Sequence, residues 1–131
     1  MEDLTRVLCA EDDADIRKIL NFSLTRVGHF EVCMCEDGLQ ALEKAPGFKP
    51  QLILLDVMMP GLSGPETFQK LREHPQLASV PVIFVTAKAT LDELEALSHY
   101  GAAGIIVKPF SANELPQNVR MIWERHPHAR R

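Results

Sequence analysis

The sequence predicts a single doubly wound α/β domain: one sheet of five parallel strands with helices on both faces. Three observations predict it. Short apolar runs recur at residues 7–10, 52–55, 82–85 and 105–107. Helix-length amphipathic segments separate them, which is the pattern of parallel strands buried on both faces. Each run also stops abruptly at a polar residue: Glu11-Asp12-Asp13, Asp56, Thr86 and Lys108. In open α/β sheets ligands bind outside the carboxyl ends of the strands, so these groups are expected to meet at one edge.

The elements follow in order. After the first strand, Ile16, Ile19, Leu20, Ser23, Leu24 and Val27 fall at helical spacing, and Gly28 suits the stop. A second strand is expected near residues 30–36. Asp37 with Gln40 three residues on opens a short helix, which Ala45-Pro46-Gly47 should break. The third strand ends at Asp56, and Pro60-Gly61 turns the chain. Ser63 with Glu66 reads as a capping box for a helix carrying Phe68 and Leu71, closed by His74-Pro75. The fourth strand leads to Thr90 and Glu93, a second capping box, with Leu94 and Leu97 pointing inward and Gly101 ending the helix. The fifth strand runs to Lys108. The last helix carries the stripe Leu115, Val119, Ile122 and Trp123. Its start has two candidates, a cap at Ser111 with Glu114, or Pro116 at an early helical position.

Bulk properties narrow the function. A chain of 131 residues is expected to be one domain, 1–131, with a core at about 6–123 and a polar tail at 124–131. His126 and His128 around Pro127 read as solvated. Net charge is −4, from 14 basic and 18 acidic residues, which argues against nucleic-acid binding through a broad basic face. The start has no basic segment leading into an apolar one, and no apolar run approaches a membrane span. The expectation is a complete, small cytoplasmic protein. Cys9, Cys33 and Cys35 lie on strands, and an odd count at these spacings makes no disulfide framework, so they read as small buried hydrophobes.

The strand ends carry the chemistry. In the order 2-1-3-4-5, Glu11, Asp12 and Asp56 end two neighbouring strands. Two carboxylates about 4 Å apart repel by roughly 4 kcal/mol at an effective dielectric of about 20, so three together raise a pKa or recruit a cation. Oxygen-only donors favour a hard ion such as Mg²⁺. Asp13 reads as a helix cap. Lys108 offers a mobile ammonium for a phosphoryl oxygen, or simply an ion pair with Asp56. Thr86, followed by the small Ala87, offers a hydroxyl and an open N–H. Together these are the parts of phosphoryl transfer by positioning and charge neutralisation. No Gly-rich phosphate loop and no nucleophile–histidine pairing accompany them.

From about Arg6 to Trp123 the chain resembles the receiver domain of bacterial response regulators. The matching motifs are Cys-Ala-Glu11-Asp12-Asp13, Leu-Leu-Asp56-Val-Met-Met-Pro60-Gly61, Phe-Val-Thr86-Ala87 and Val-Lys108-Pro109-Phe110. The resemblance implies the flavodoxin-like (βα)5 topology and a stand-alone regulator of a two-component phosphorelay. It implies that Asp56 is phosphorylated by a sensor histidine kinase or histidine phosphotransfer protein, and that the change alters binding to a downstream protein target. Glu11, Asp12, Asp56 and the Met58 carbonyl would hold Mg²⁺; Lys108, Thr86 and the Ala87 N–H would contact the phosphoryl group. The Lys108–Pro109 bond is expected to be cis. Such a protein takes part in its own phosphorylation and dephosphorylation without being an enzyme.

One departure stands out. Receivers usually carry Tyr or Phe three residues before the lysine, and here that residue is Ile105. The acid–lysine chemistry should survive, but the usual aromatic readout should not. Met58 and Lys88 flank the expected approach of a hydrolytic water, where their bulk would lengthen phosphoryl lifetime. Two rival readings follow: a receiver-like interaction module that acts without phosphorylation, or a phosphate-ester hydrolase of the haloacid-dehalogenase type. The latter places an Asp two residues after its nucleophile, where this chain has Met58.

Overall fold

A computed structural model describes residues 3–126. The element order is β1 (Arg6–Ala10), α1 (Ala14–Phe22) continuing into a π-helical turn (Ser23–Val27), β2 (Glu31–Cys35), α2 (Gly38–Phe48), β3 (Leu52–Asp56), α3 (Gly64–Glu73), β4 (Val82–Thr86), α4 (Leu91–Ser98), β5 (Gly104–Val107) and α5 (Leu115–Arg125). The sheet is five-stranded and parallel, in the order β2-β1-β3-β4-β5. Both halves of the expectation, topology and strand assignment, are met.

Strand alternation sorts the core into two layers. Val7, Cys9, Leu52, Leu54, Ile83, Val85 and Ile106 face Leu20 and Leu24 after β1 and Leu115, Val119 and Trp123 of α5. Leu8, Ala10, Ile53, Leu55, Val82 and Phe84 face Ala41, Ala45, Phe68, Leu71 and Leu97 of α2, α3 and α4. β3 and β4 are buried at every position, as central strands covered on both faces must be. The three cysteines are free thiols, with Cys9 and Cys35 buried and Cys33 half-buried.

The caps follow the sequence with informative exceptions. Ser63 and Glu66 form the reciprocal box: Glu66 N–H donates to Ser63 Oγ at 3.2 Å, and Ser63 N–H donates to Glu66 Oε1 at 3.0 Å. Thr90 caps α4 through Glu93 N–H, but its hydroxyl donates to Glu93 Oε1 at 2.6 Å, so the carboxylate binds the side chain and not the backbone. α5 begins at Leu115 with Pro116 in its first turn, which decides between the two candidate starts. The helix runs to Arg125, and His126 caps it, so the segment 124–126 is not tail; residues 127–131, including His128, lie outside the described residues.

Two expected stops behave differently. Pro46 does not break α2, which continues to Phe48. Tertiary contact holds the last turn: the Arg6 guanidinium stacks 4.2 Å above the Phe48 ring, and Arg6 Nε donates to Phe48 O at 2.9 Å. The helix ends instead at Lys49, in the left-handed region at φ 57°. Gly28 is likewise not the left-handed stop. Its φ is −84°, while the following His29 takes φ 60°. Glycine is needed at 28 for clearance, since a Cβ there would lie 2.8 Å from Leu24 O and 2.9 Å from Pro116 Cβ. The π turn beside it ties α1 to the approach to α5, with the Ser23 hydroxyl donating to Ala112 O at 2.5 Å.

The start of α3 is seated on the end of β3. Gly64 N–H donates to Val57 O at 3.0 Å. A Cβ at Gly64 would stand 2.5 Å from Asp56 O and 2.9 Å from Val57 Cα.

Candidate functional site

β1 and β3 leave the sheet on either side of the point where strand order reverses, and their carboxyl ends carry the acids. Glu11, Asp12 and Asp56 each present a carboxylate oxygen within 4.8 Å of the others. Glu11 is fully buried, Asp56 is 5 % exposed, and Asp12 faces solvent. Lys108 follows β5 and reaches across β4: Nζ donates to Glu11 Oε1 at 2.7 Å and to Asp56 Oδ1 at 3.2 Å. Its own N–H donates to Thr86 O at 2.8 Å, so the residue remains tied to the sheet although β5 ends at Val107. The Lys108–Pro109 peptide is cis, as expected.

One ammonium does not neutralise two buried carboxylates. Burial, and then the charge of Glu11, push the Asp56 carboxyl up to about 7, against the opposing pull of Lys108. Burial alone would push the Lys108 ammonium down, but its bonds to Glu11 and Asp56 outweigh that and hold it above its ordinary value. The cluster therefore carries excess negative charge next to solvent. Its donors are all oxygens, and a hard divalent cation such as Mg²⁺ fits that donor set.

The other predicted residues take distinct places. Asp13 caps α1, its Oδ1 accepting from Asp15 N–H at 2.9 Å and Ile16 N–H at 3.0 Å. Thr86, 1 % exposed, ends β4 one step beyond the partner of Asp56. Its hydroxyl accepts from Lys88 N–H at 3.0 Å and donates to Lys88 O at 3.2 Å. Ala87 is exposed beside it, and Met58 is 59 % exposed on the loop after β3. Met58, Thr86 and Lys88 line a cavity of about 280 Å³ with Val57, Leu97 and Tyr100.

Two residues escaped the sequence reading. Tyr100, the single tyrosine of the chain, lies just past α4 with its ring edge-on to Phe84 at 6.1 Å and to Phe68 at 6.4 Å. It brings an aromatic ring to the Thr86 cavity, while Ile105, the sheet partner of Phe84, packs half-buried against the same core layer. Arg17 donates from Nη1 to both Glu11 O and Asp12 O at 3.0 Å. The only sequence signal for Arg17 is its place one helical turn past the Asp13 cap, with no pattern to point it at those carbonyls.

Residues 7–120 match the family described as the response regulator receiver domain. This chain belongs to that family. It is 44 % identical over 115 residues to the uncharacterized transcriptional regulatory protein YrkP of Bacillus subtilis, covering 87 % of this chain and 47 % of that protein. It is 38 % identical over 125 residues to the response regulator ArlR of Staphylococcus aureus, covering 95 % of this chain and 55 % of that protein. The chain thus spans about half the length of these two relatives. Among solved structures, the receiver resembles the chemotaxis protein CheY4 of Vibrio cholerae with a TM-score of 0.83 at 28 % identity, covering 92 % of this chain and 99 % of that one. A sensor protein from Polaromonas sp. JS666 superposes with a TM-score of 0.80 at 28 % identity, over 90 % and 94 % of the two chains. The protein is a receiver of the two-component type. Among the described residues no helix is long and apolar enough to cross a membrane.

Proposed function

We propose that this receiver is a phosphoacceptor in which Asp56 takes a phosphoryl group from a phosphohistidine on a sensor histidine kinase or histidine phosphotransfer protein. One observation carries the reading: Lys108 Nζ bonds at once to Glu11 and Asp56, so that groups from the ends of three strands converge on one carboxylate. An Asp56 oxygen attacks phosphorus, the P–N bond breaks, and the imidazole leaves with the bonding pair and takes up a proton. Glu11, Asp12, Asp56 and the Met58 carbonyl would hold Mg²⁺, which when bound supplies positive charge to both donor and acceptor oxygens. Lys108 transfers its hydrogen bonds from the carboxylates to the phosphoryl oxygens. The acyl phosphate adds acceptor oxygens next to Thr86, whose hydroxyl leaves Lys88 to bind them together with the Ala87 N–H.

The expected consequence is altered binding to a downstream protein, since a charge change at one strand end biases the β4–α4 region between two arrangements. The whole chain acts as one cytoplasmic signalling domain and not as a turnover enzyme. Incubation with acetyl phosphate and Mg²⁺ tests the reading by intact-protein mass. The wild type is expected to gain one phosphoryl group and Asp56→Asn none. A wild-type protein that stays unlabelled while another receiver is labelled would sink it, in favour of an interaction module acting without phosphorylation.

A further inference from the structure

The three carboxylates differ in what holds them. Glu11 is fixed twice, through Oε1 by Lys108 and through Oε2 by Asp13 N–H at 3.1 Å. Asp56 sits on a fully buried strand and is bonded by Lys108. Asp12 is exposed, and among the described residues no hydrogen bond or ion pair holds its carboxylate. The placement of that carboxylate therefore depends on the backbone that carries it. The backbone at 11–12 lies beyond the last sheet pairing, where Glu11 N–H donates to Cys35 O at 3.1 Å. From there to the Asp13 cap, the carbonyls of Glu11 and Asp12 both accept from a single nitrogen, Arg17 Nη1. The second terminal nitrogen leans toward Glu36 at the end of β2, 3.8 Å away. Arg17 is only partly exposed, so its fork is held between the two loops.

We propose that Arg17 is a positioning residue for the divalent cation: by clamping the carbonyls of Glu11 and Asp12 it orients the otherwise unsupported Asp12 carboxylate toward the ion. This rests on the Mg²⁺ assignment proposed for the acidic cluster. Outer partners that orient metal ligands commonly contribute much of a site's affinity. Here the clamp works against its own charge, since a guanidinium beside the cluster also repels a cation. That opposition makes the two roles separable. A residue that acts by charge alone weakens Mg²⁺ binding, and its removal tightens it. A residue that acts by geometry does the reverse.

The test compares wild type with Arg17→Lys, which keeps the charge without the planar fork, and Arg17→Met, which keeps the stem without the charge. Mg²⁺ affinity is measured by titration calorimetry, and the Mg²⁺ dependence of labelling by acetyl phosphate is measured in parallel. Both variants are expected to bind Mg²⁺ roughly tenfold more weakly. Both should need correspondingly more Mg²⁺ for half-maximal labelling yet reach the wild-type rate at saturation. Unchanged affinity in both variants overturns the proposal, as does tighter binding by Arg17→Met. Slow labelling that saturating Mg²⁺ does not restore also overturns it, because Arg17 would then act on the fold or the chemistry. A wild-type protein that binds no Mg²⁺ overturns the metal assignment itself, and that failure is visible before any variant is made.

Discussion

The two flanks of the strand-end site are built differently. On the β1–β3 flank every group but the Asp12 carboxylate is anchored: Glu11 is fully buried, Lys108 bridges two carboxylates, and Arg17 closes the loop. On the β4–α4 flank the Thr86 hydroxyl is bonded, among the described residues, only to Lys88, two residues away, beside a cavity of about 280 Å³. The covering helices differ in the same way. α5 buries Leu115, Pro116, Val119 and Trp123, whereas α4 buries only Leu97 and leaves Leu91 85 % exposed. Chemistry needs groups held still, while a readout needs an element whose displacement costs little. Under the proposed function, the molecule separates the two demands across one strand.

The sharpest way to break that contrast is to unpair the rigid flank. Lys108→Met leaves Glu11 and Asp56 as buried carboxylates without a cation and is expected to cost about 3–5 kcal/mol in urea unfolding without metal. Mg²⁺ should restore more stability to this variant than to wild type; equal restoration would mean that the ammonium and the cation do not address the same charge.

Asp56→Asn should act in the opposite direction. A carboxyl raised to about 7 in the native state ionises later than in the unfolded chain. Stability from this group is intact below about pH 4 and lost as pH rises through 7. In metal-free buffer above neutrality the variant is thus expected to be more stable by on the order of 4 kcal/mol. The gain should vanish near pH 4. A gain independent of pH would show that packing, not charge, is relieved.

The helices sharpen the comparison next. Leu115→Ala is expected to cost about 1–2 kcal/mol more than Leu97→Ala, because the α4 site has room to relax. Amide hydrogens of α4 should also exchange faster than those of α5. Equal costs and equal exchange would remove the distinction. The smallest effects are expected at the rim: Met58→Ala and Lys88→Ala should each leave stability within about 0.5 kcal/mol of wild type. Each should shorten the lifetime of the phosphoprotein several-fold, and an unchanged lifetime would exclude shielding by those side chains.

Most of this architecture was legible in the amino-acid order because its signals are local. Apolar runs ending in Glu11, Asp56, Thr86 and Lys108 mark buried parallel strands and their shared edge, and Ser63 with Glu66 marks a helix start. What escaped depends on contacts between distant segments. Pro46 continues a helix because Arg6, on another element, holds its last turn. Gly28 serves clearance against Pro116, which lies far away in the sequence. Tyr100 reaches Phe84 and Phe68 only once α4 is docked. Arg17 is invisible for a related reason, since its acceptors are backbone carbonyls and carry no sequence signature.

The seat of α3 against β3 makes Asp56 vulnerable from a position that has no functional group. With backbone atoms of Asp56 and Val57 inside 3.0 Å of where a methyl would stand, Gly64→Ala forces the strand end and the helix start apart. A genetic screen for silent receivers should therefore recover residue 64 beside residues 56 and 108, in proteins whose acids and lysine are all intact.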